Sequence, residues 1–183
     1  MLDKIVPLKI YYFLDLIRLS KPIGFMLLMW PCWFSLSLIP LDSFQEIKWY
    51  FLFFVGAFLM RSAGCIINDL VDINIDKTIS RTANRPLASK KISKKEAILL
   101  LFFLFLISFG ILLQFNFFAI LFGFCSLPLI ILYPFMKRYT YWPQLILGVV
   151  FSWGVIMVSI QFHNFNSDFI IESPDLVESS KPA

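Results

Sequence analysis

The sequence predicts an all-α integral membrane protein, a polytopic bundle of about five transmembrane helices over residues 22–162. Apolar residues make up 59% of the chain and charged residues only 15%, which leaves too little polar surface for a soluble domain of this length. Several apolar runs reach the about 20 residues that a helix needs to cross the hydrocarbon core. Because these runs are long and do not alternate between apolar and polar residues, they predict helices rather than barrel strands.

The N-terminal segment, residues 1–21, is charged and amphipathic and is predicted to lie at the cytoplasmic membrane surface. An interfacial helix is expected from Tyr11 to Leu19. The first span is predicted in the uncharged run from Pro22 to Leu41. A second span is predicted from about Ile47 to Asn68, and it carries Arg61 inside its apolar part.

The second half of the domain supplies three further spans. No charged residue occurs between Ala97 and Met136, and this length suits two helices. The polar residues Gln114 and Asn116 predict the outer turn between them. A fifth span is expected from about Tyr141 to Phe162, after which residues 163–183 are more acidic and are predicted to form a polar, disordered tail.

The basic residues predict the orientation of the chain. They fall before the first span, between the second and third, and between the fourth and fifth, all on one side of a five-span threading. By the positive-inside rule this side is cytoplasmic, in a bacterial-type inner membrane or an organellar inner membrane. The run from Lys77 to Lys95 contains no acid. Nucleic-acid binding is an alternative interpretation, but a position between membrane spans favours a topology signal, so no nucleic-acid partner is predicted.

A cluster of oxygen-bearing side chains directly follows the second span. Its members are Asn68, Asp69, Asp72 and Asp76. On a continued helix these four fall within an arc of about 100° and span about 12 Å of the axis. Like charges this close need a cation to neutralise them, and oxygen ligands without His or Cys predict Mg²⁺ or Mn²⁺ rather than Zn²⁺. The alternative is a solvated helix end, but ionisable groups beside a membrane span favour function.

Arginines near this cluster predict a phosphate site. Arg61 lies on the same helix face about 10 Å deeper in the membrane, and Arg81 and Arg85 follow in the basic loop. Guanidinium groups bind phosphate oxygens in bidentate fashion. For Arg61, the alternative is a side chain that extends its charge to the membrane surface.

Three segments of the chain resemble the UbiA-type prenyltransferase family. NDLVDINID followed by SRTANRPLAS resembles the first aspartate-rich motif and basic loop of the family. RLSKPIGFMLLMWPCW resembles its N-terminal signature, and YPFMKRYTYWPQLILG its segment between spans four and five. The motifs occur in the family's order and cover most of residues 15–160. Within the family, KPIG and KRYTYWPQ are most similar to the 4-hydroxybenzoate polyprenyltransferases of ubiquinone biosynthesis.

The resemblance implies Mg²⁺-dependent transfer of a polyprenyl group from polyprenyl diphosphate to an aromatic acid acceptor, 4-hydroxybenzoate, with the isoprenoid tail in the lipid bilayer. Asn68, Asp72 and Asp76 would hold the metal, with Asp69 as a further ligand or supporting acid. The implied catalytic residues are Asp72 and Asp76. The implied cations for the diphosphate are Arg61, Arg81, Arg85, Lys137 and Arg138.

The resemblance is incomplete, because the family has about nine helices and a second aspartate-rich motif that this chain does not show. We therefore expect a truncated chain that inserts in membranes but shows no transfer alone. Three alternatives stay open. The chain could be a sibling prenyltransferase for haem or another quinone precursor, a non-catalytic remnant, or a cation transporter. A transporter is disfavoured because no internal repeat is visible.

Overall fold

A computed structural model describes residues 7–139 and 142–162, with the side chains of residues 137–139 and 143 outside the description. The predicted tail, residues 163–183, and the first six residues of the chain lie outside the described ranges. Within the described ranges the structure contains seven helices and turns but no strand, which confirms the predicted all-α class. The helices are α1 Leu8–Leu16, α2 Ile23–Leu36, α3 Ser43–Val71, α4 Ile73–Asp76, α5 Lys94–Leu112, α6 Phe117–Tyr139 and α7 Pro143–Phe162.

Four helices, α3, α5, α6 and α7, are long and apolar enough to cross a membrane. They coincide with the predicted second to fifth spans, so the chain is a polytopic membrane protein. The turn between α5 and α6 contains Gln114 and Asn116, as the sequence predicts. Asn116 also caps α6, since its Oδ1 accepts a hydrogen bond from the Ala119 N–H at 2.8 Å.

The predicted first span is shorter than expected. Helix α2 has 14 residues, which corresponds to about 21 Å and is less than the thickness of the hydrocarbon core. The chain leaves the helix in a turn after Leu36 and reaches Pro40 before α3 begins. Helix α2 packs between α3 and α7, so a short apolar helix stands where a full span was predicted.

The helices alternate in direction and meet in two apolar clusters. The first, here called the far-end cluster, joins the end of α2 and the start of α3 to the turn after α5 and to α7 through Leu36, Trp49, Phe115 and Val158. At the same end Asn116 Nδ2 donates hydrogen bonds to the carbonyl oxygens of Ile160 and Gln161, at 2.9 and 3.1 Å. These contacts hold α7 against the α5–α6 turn.

The second cluster lies at the opposite end, here called the site end, and anchors the N-terminal helix and the basic loop. Leu16 of α1 and Leu87 and Ile92 of the loop are buried against α3 and α5. Lys91 lies over the ring of Tyr12, with its Nζ 4.8 Å from the centroid. The predicted interfacial helix is thus present as α1, shifted by about one turn toward the N-terminus, and it is held to the loop that follows α4.

Candidate functional site

The acidic cluster from Asn68 to Asp76 keeps helical spacing, although it is divided between two helices, α3 and α4. Helix α3 ends at Val71, and Asp72 has ψ 8° before α4 begins. The Asp72 N–H still donates to the Asn68 carbonyl at 3.0 Å, and the Asp76 N–H to the Asp72 carbonyl at 2.8 Å. Asn68, Asp72 and Asp76 therefore follow one another at intervals of one turn, as predicted for a continued helix.

Asp69 is the centre of an ion-pair network. Its side chain is almost fully buried, with the residue 2% exposed. Its Oδ1 accepts hydrogen bonds from Arg18 Nη2 at 2.8 Å and from Arg85 Nη1 at 3.1 Å. The same Arg85 nitrogen donates to Asp76 Oδ2 at 2.7 Å. Two carboxylates of the acidic cluster are thus neutralised by guanidinium groups from segments before and after it.

Hydrogen bonds within the loop after α4 position Arg85. Thr82 is buried and its hydroxyl donates to the Asp76 carbonyl at 3.1 Å. The Ser89 hydroxyl donates to the Arg85 carbonyl at 2.8 Å, and the Ile92 N–H donates to the Pro86 carbonyl at 3.1 Å. Because the loop folds back on itself and buries its apolar residues, the guanidinium of Arg85 returns to the end of α3.

Arg18 reaches Asp69 from the end of α1 through an unusual backbone conformation. Its φ is 57°, in the left-handed region that favours glycine. The Arg18 N–H donates to the Asp15 carbonyl and the Leu19 N–H to the Leu14 carbonyl, each at 3.0 Å, which is the Schellman arrangement that normally carries glycine here. Burial lowers the pKa of the Arg18 guanidinium, but the charge and hydrogen bond of Asp69, together with contributions from Cys65 and Asp76, outweigh burial and raise the pKa above its ordinary value.

The strain at Arg18 predicts a difference between two substitutions. Both Arg18→Gly and Arg18→Ala lose the ion pair, but only glycine relieves the left-handed backbone, so the glycine variant should be more stable by about 1 kcal/mol. Lys90 is a matched control, because it has φ 59° and is exposed. Lys90→Gly should stabilise the protein, whereas Arg18→Gly should not. Unfolding in detergent micelles measures both, and equal stabilisation at the two positions would show that the Arg18 ion pair contributes nothing.

Beside the network lies a polar cavity of about 180 Å³. Arg18, Arg61, Arg85 and Asn68 contribute to its wall. Arg18 and Arg85 are paired with Asp69, but Arg61 has no ion pair or hydrogen bond within the described part of the chain. The cavity therefore presents an unneutralised guanidinium from inside a membrane helix, which favours an anionic ligand.

Gly24 of α2 makes room for the Arg61 guanidinium. A Cβ at Gly24 would lie 2.8 Å from Arg61 Nε and 3.1 Å from Nη2. A side chain at this position would displace the far end of Arg61 rather than a backbone. The glycine of the KPIG segment thus sets where the Arg61 guanidinium can lie.

A larger apolar cavity of about 520 Å³ adjoins the polar one. The two share four wall residues, Leu28, Met60, Ile130 and Val150. The larger cavity extends between α2, α3, α5, α6 and α7 to residues of the far-end cluster, and its wall is almost entirely aliphatic and aromatic. Its size is in the range of ligand-binding pockets. Together the cavities fit an elongated molecule with an anionic head and an apolar tail.

The structure brings most of the predicted site residues together. Asn68, Arg61 and Arg85 line the polar cavity, and Asp69 and Asp76 bind Arg85 beside it. Arg81 is exposed in the loop and does not line the cavity. Lys137 and Arg138 lie in the last turn of α6, where side chains are outside the description, so their predicted role stays a prediction.

Sequence reasoning missed three residues: Arg18 and Tyr133, which line the polar cavity, and Gly24, which lies against Arg61. Arg18 and Gly24 belong to the RLSKPIG segment, and Tyr133 begins the YPFMKRY segment. Arg18 was interpreted as a basic residue before the first span and as part of a family signature, but its pairing with Asp69 was not predicted, because that ion pair depends on the packing of α1 against α3. The motifs marked the segments, but no spacing rule connects Arg18 with Asp69 across 51 positions.

The donor set at the acidic helix end fits a hard divalent cation by chemistry. Asn68, Asp72 and Asp76 offer only oxygen ligands at one-turn intervals, which suits Mg²⁺ completed by water and phosphate oxygens. Among the described residues, no three acidic, histidine or cysteine side chains converge on one point. The predicted metal ligands therefore stay a prediction, and Asp69 is held by two arginines.

The fold defines a polytopic membrane helix bundle in which a polar cavity adjoins a larger apolar one. The model of the UbiA prenyltransferase family matches residues 28–171. The chain therefore belongs to the UbiA prenyltransferase family.

Curated proteins of this family are similar to the chain in sequence. The chain is 45% identical over 152 residues to a protein of Dictyostelium discoideum named 4-hydroxybenzoate polyprenyltransferase, mitochondrial, covering 82% of this chain and 33% of the relative. A Caenorhabditis elegans protein of the same name is 47% identical, covering 79% and 41%. The 4-hydroxybenzoate octaprenyltransferase of Pseudomonas aeruginosa is 46% identical, covering 79% and 49%. The chain thus spans between a third and a half of these relatives. No solved structure matches the chain significantly.

Proposed function

We propose that the chain binds a polyprenyl diphosphate and takes part in transfer of its prenyl group to an aromatic acid, 4-hydroxybenzoate, in ubiquinone biosynthesis. The pair of adjoining cavities carries the proposal. A polar wall with three arginines meets an apolar channel at four shared residues, which matches a diphosphate joined to an isoprenoid tail. The names of the relatives supply the acceptor.

In this proposal Arg61 binds the diphosphate, because it is the cavity guanidinium without an ion pair among the described residues. As the allylic C–O bond breaks, its electron pair goes to the diphosphate, and Arg61 stabilises that charge in a site of low polarity. Asp69 positions Arg18 and Arg85 at the cavity wall. The apolar cavity excludes water, which protects the allylic cation until a ring carbon of the acceptor bonds to it and the ring releases a proton.

Asn68, Asp72 and Asp76 would hold Mg²⁺ at the acidic helix end, with Asp72 and Asp76 as the catalytic pair. When bound, Mg²⁺ would neutralise the diphosphate as a leaving group. Arg81, Lys137 and Arg138 are also proposed to contact the diphosphate, and for these three residues the support is the match to the family motif. The basic segments, including the loop with Arg85, would then face the cytoplasm or the organellar matrix.

The binding step is tested with the chain in lipid nanodiscs and geranylgeranyl thiolodiphosphate, a substrate analogue that does not ionise. We expect binding that Mg²⁺ tightens about tenfold or more, because an ion held by Asn68, Asp72 and Asp76 would neutralise part of the diphosphate charge. Asp72→Asn should remove the Mg²⁺ effect. Asp42→Asn, the same charge change at the exposed start of α3, should keep it. No binding by the wild type would contradict the proposed function, and an intact Mg²⁺ effect in Asp72→Asn would contradict the metal site.

The acceptor is tested by transfer in membranes that contain this chain and the part of the Pseudomonas aeruginosa relative that it does not cover. Radiolabelled 4-hydroxybenzoate should be prenylated. Prenylation of a naphthoate or of haem in its place would assign the chain to a sibling reaction of the family.

A further inference from the structure

We propose that the start of α5 binds the head group of an anionic phospholipid, whose acyl chains lie along the exposed face of the same helix. Lys94 and Lys95 are the first two residues of α5, and both are exposed. Neither forms an ion pair within the described part of the chain. Both lie outside the two cavities of the candidate site, so this inference does not rest on the proposed function.

Packing and capping hold the backbone that carries these two lysines. Ile92 and Ala97, on either side of the pair, are 1% and 0% exposed. Ser93 caps α5, since its hydroxyl accepts a hydrogen bond from the Glu96 N–H at 3.2 Å, and Glu96 Oε2 accepts one from the Ser93 N–H at 2.9 Å. The lysines therefore extend from a helix start that is fixed in place.

The acid in the first turn of α5 is neutralised by the protein itself. Glu96 Oε1 lies 2.5 Å from the Nζ atom of Lys9 on α1. Lys91 is also engaged, with its Nζ over the ring of Tyr12. These contacts leave the two lysines at the start of α5 without a carboxylate partner among the described residues, so an anion at the membrane surface can neutralise them.

An exposed apolar strip continues along α5 from these lysines. It consists of four residues that are each more than half exposed: Ile98, Leu99, Phe102 and Leu106. They follow Lys95 at intervals of one to three helical turns, so they share its face of the helix. The strip extends about 16 Å along the helix axis, which is close to half of the roughly 30 Å of the hydrocarbon core. Among the described helices, α5 packs mainly against α3, which leaves the strip open.

Charge and apolar surface together identify a phospholipid as the occupant. Its phosphate lies at the membrane surface, where lysine ammonium groups bind it, and its acyl chains cross one leaflet, which is the length of the strip. An acidic peptide or a nucleic acid would match the lysines but not the strip. Each lysine near the surface contributes about fivefold to the affinity for an anionic head group, so the pair should give roughly 10- to 30-fold.

The test is native mass spectrometry of the full chain in a charge-neutral detergent, with dioleoyl phosphatidylglycerol and dioleoyl phosphatidylcholine as probes. The wild type should bind phosphatidylglycerol roughly 10- to 30-fold more tightly. The double variant Lys94→Gln with Lys95→Gln should lose this preference. Its matched control is Lys48→Gln with Lys77→Gln, which removes two charges from exposed positions in α3 and after α4 and should keep the preference.

Equal binding of the two lipids by the wild type would overturn the proposal. Equal loss in the two double variants would also overturn it, because the effect would then be one of general charge. Glycerophosphoglycerol, the head group without acyl chains, should not displace the lipid, and displacement would mean a site for a free phosphate instead. If the glutamine pair does not fold, each single glutamine variant is measured, and a preference as large as that of the wild type in both contradicts the site. No prenyl analogue is present in this assay, so its result and that of the proposed function stay separate.

Discussion

Replacing Asp69 by asparagine should destabilise the protein more than any other single substitution at the site. The change keeps the shape of the side chain but leaves Arg18 and Arg85 without their shared carboxylate, although Arg85 retains Asp76. Removing one partner of a buried ion pair ordinarily costs about 3–5 kcal/mol. The arginine side chains are 29% and 28% exposed, so water replaces part of the lost interaction and about 3 kcal/mol is expected.

Unfolding titrations in mixed micelles measure this loss. Asp42→Asn removes the same charge from an exposed position on the same helix segment and should change stability little. The double variant Asp69→Asn with Arg18→Gln should recover part of the loss, because one unpaired cation is then removed. Additive losses in the double variant would show that Arg18 and Asp69 do not depend on each other.

Replacing Arg61 by glutamine should have the largest effect on ligand binding. The cavity guanidinium that lacks an ion pair in the described part of the chain would be lost, while the paired network around Asp69 stays complete. A charged hydrogen bond to phosphate contributes about 1.5–3 kcal/mol, so the affinity for geranylgeranyl thiolodiphosphate should fall roughly 10- to 100-fold. Geranylgeraniol, which has the tail but no phosphate, should bind as before.

Two further variants make this result specific. Gly24→Ala should weaken diphosphate binding in the same direction but less, because the added methyl group displaces the Arg61 guanidinium without removing it. Lys95→Gln removes a positive charge from an exposed position outside the cavity and should leave affinity unchanged. If Arg61→Gln and Lys95→Gln weaken binding equally, the effect is one of general charge and the assignment of Arg61 is wrong.

The sequence by itself determined the class of the protein and most of its spans. Apolar run length and the position of charges are local properties, and the energetics of the bilayer convert them directly into helices and turns. The second to fifth spans are present near the predicted positions. The first was predicted too long, because an uncharged sequence from Pro22 to Leu41 does not show where the helix ends at Leu36 and the chain turns.

The acidic cluster and its spacing could also be predicted from the sequence, since the helical repeat places Asn68, Asp72 and Asp76 on one face of a helix. The groups that neutralise those charges could not be predicted from the sequence. The sequence predicted a metal ion at the cluster, with Asp69 as a further ligand or supporting acid, and it did not predict that Asp69 pairs with Arg18 and Arg85. That pairing exists only because α1 and the basic loop pack against the end of α3.

Only the tertiary structure decided which cavity arginine lacks an ion pair within the described ranges, where Gly24 places its guanidinium, and how the polar cavity continues into the apolar one. Each depends on the distance between helices that are far apart in the chain, such as Gly24 against Arg61 and α2 against α7. Residue type and helical period describe one helix at a time. The space between helices arises from their packing, and that space is where a ligand can bind.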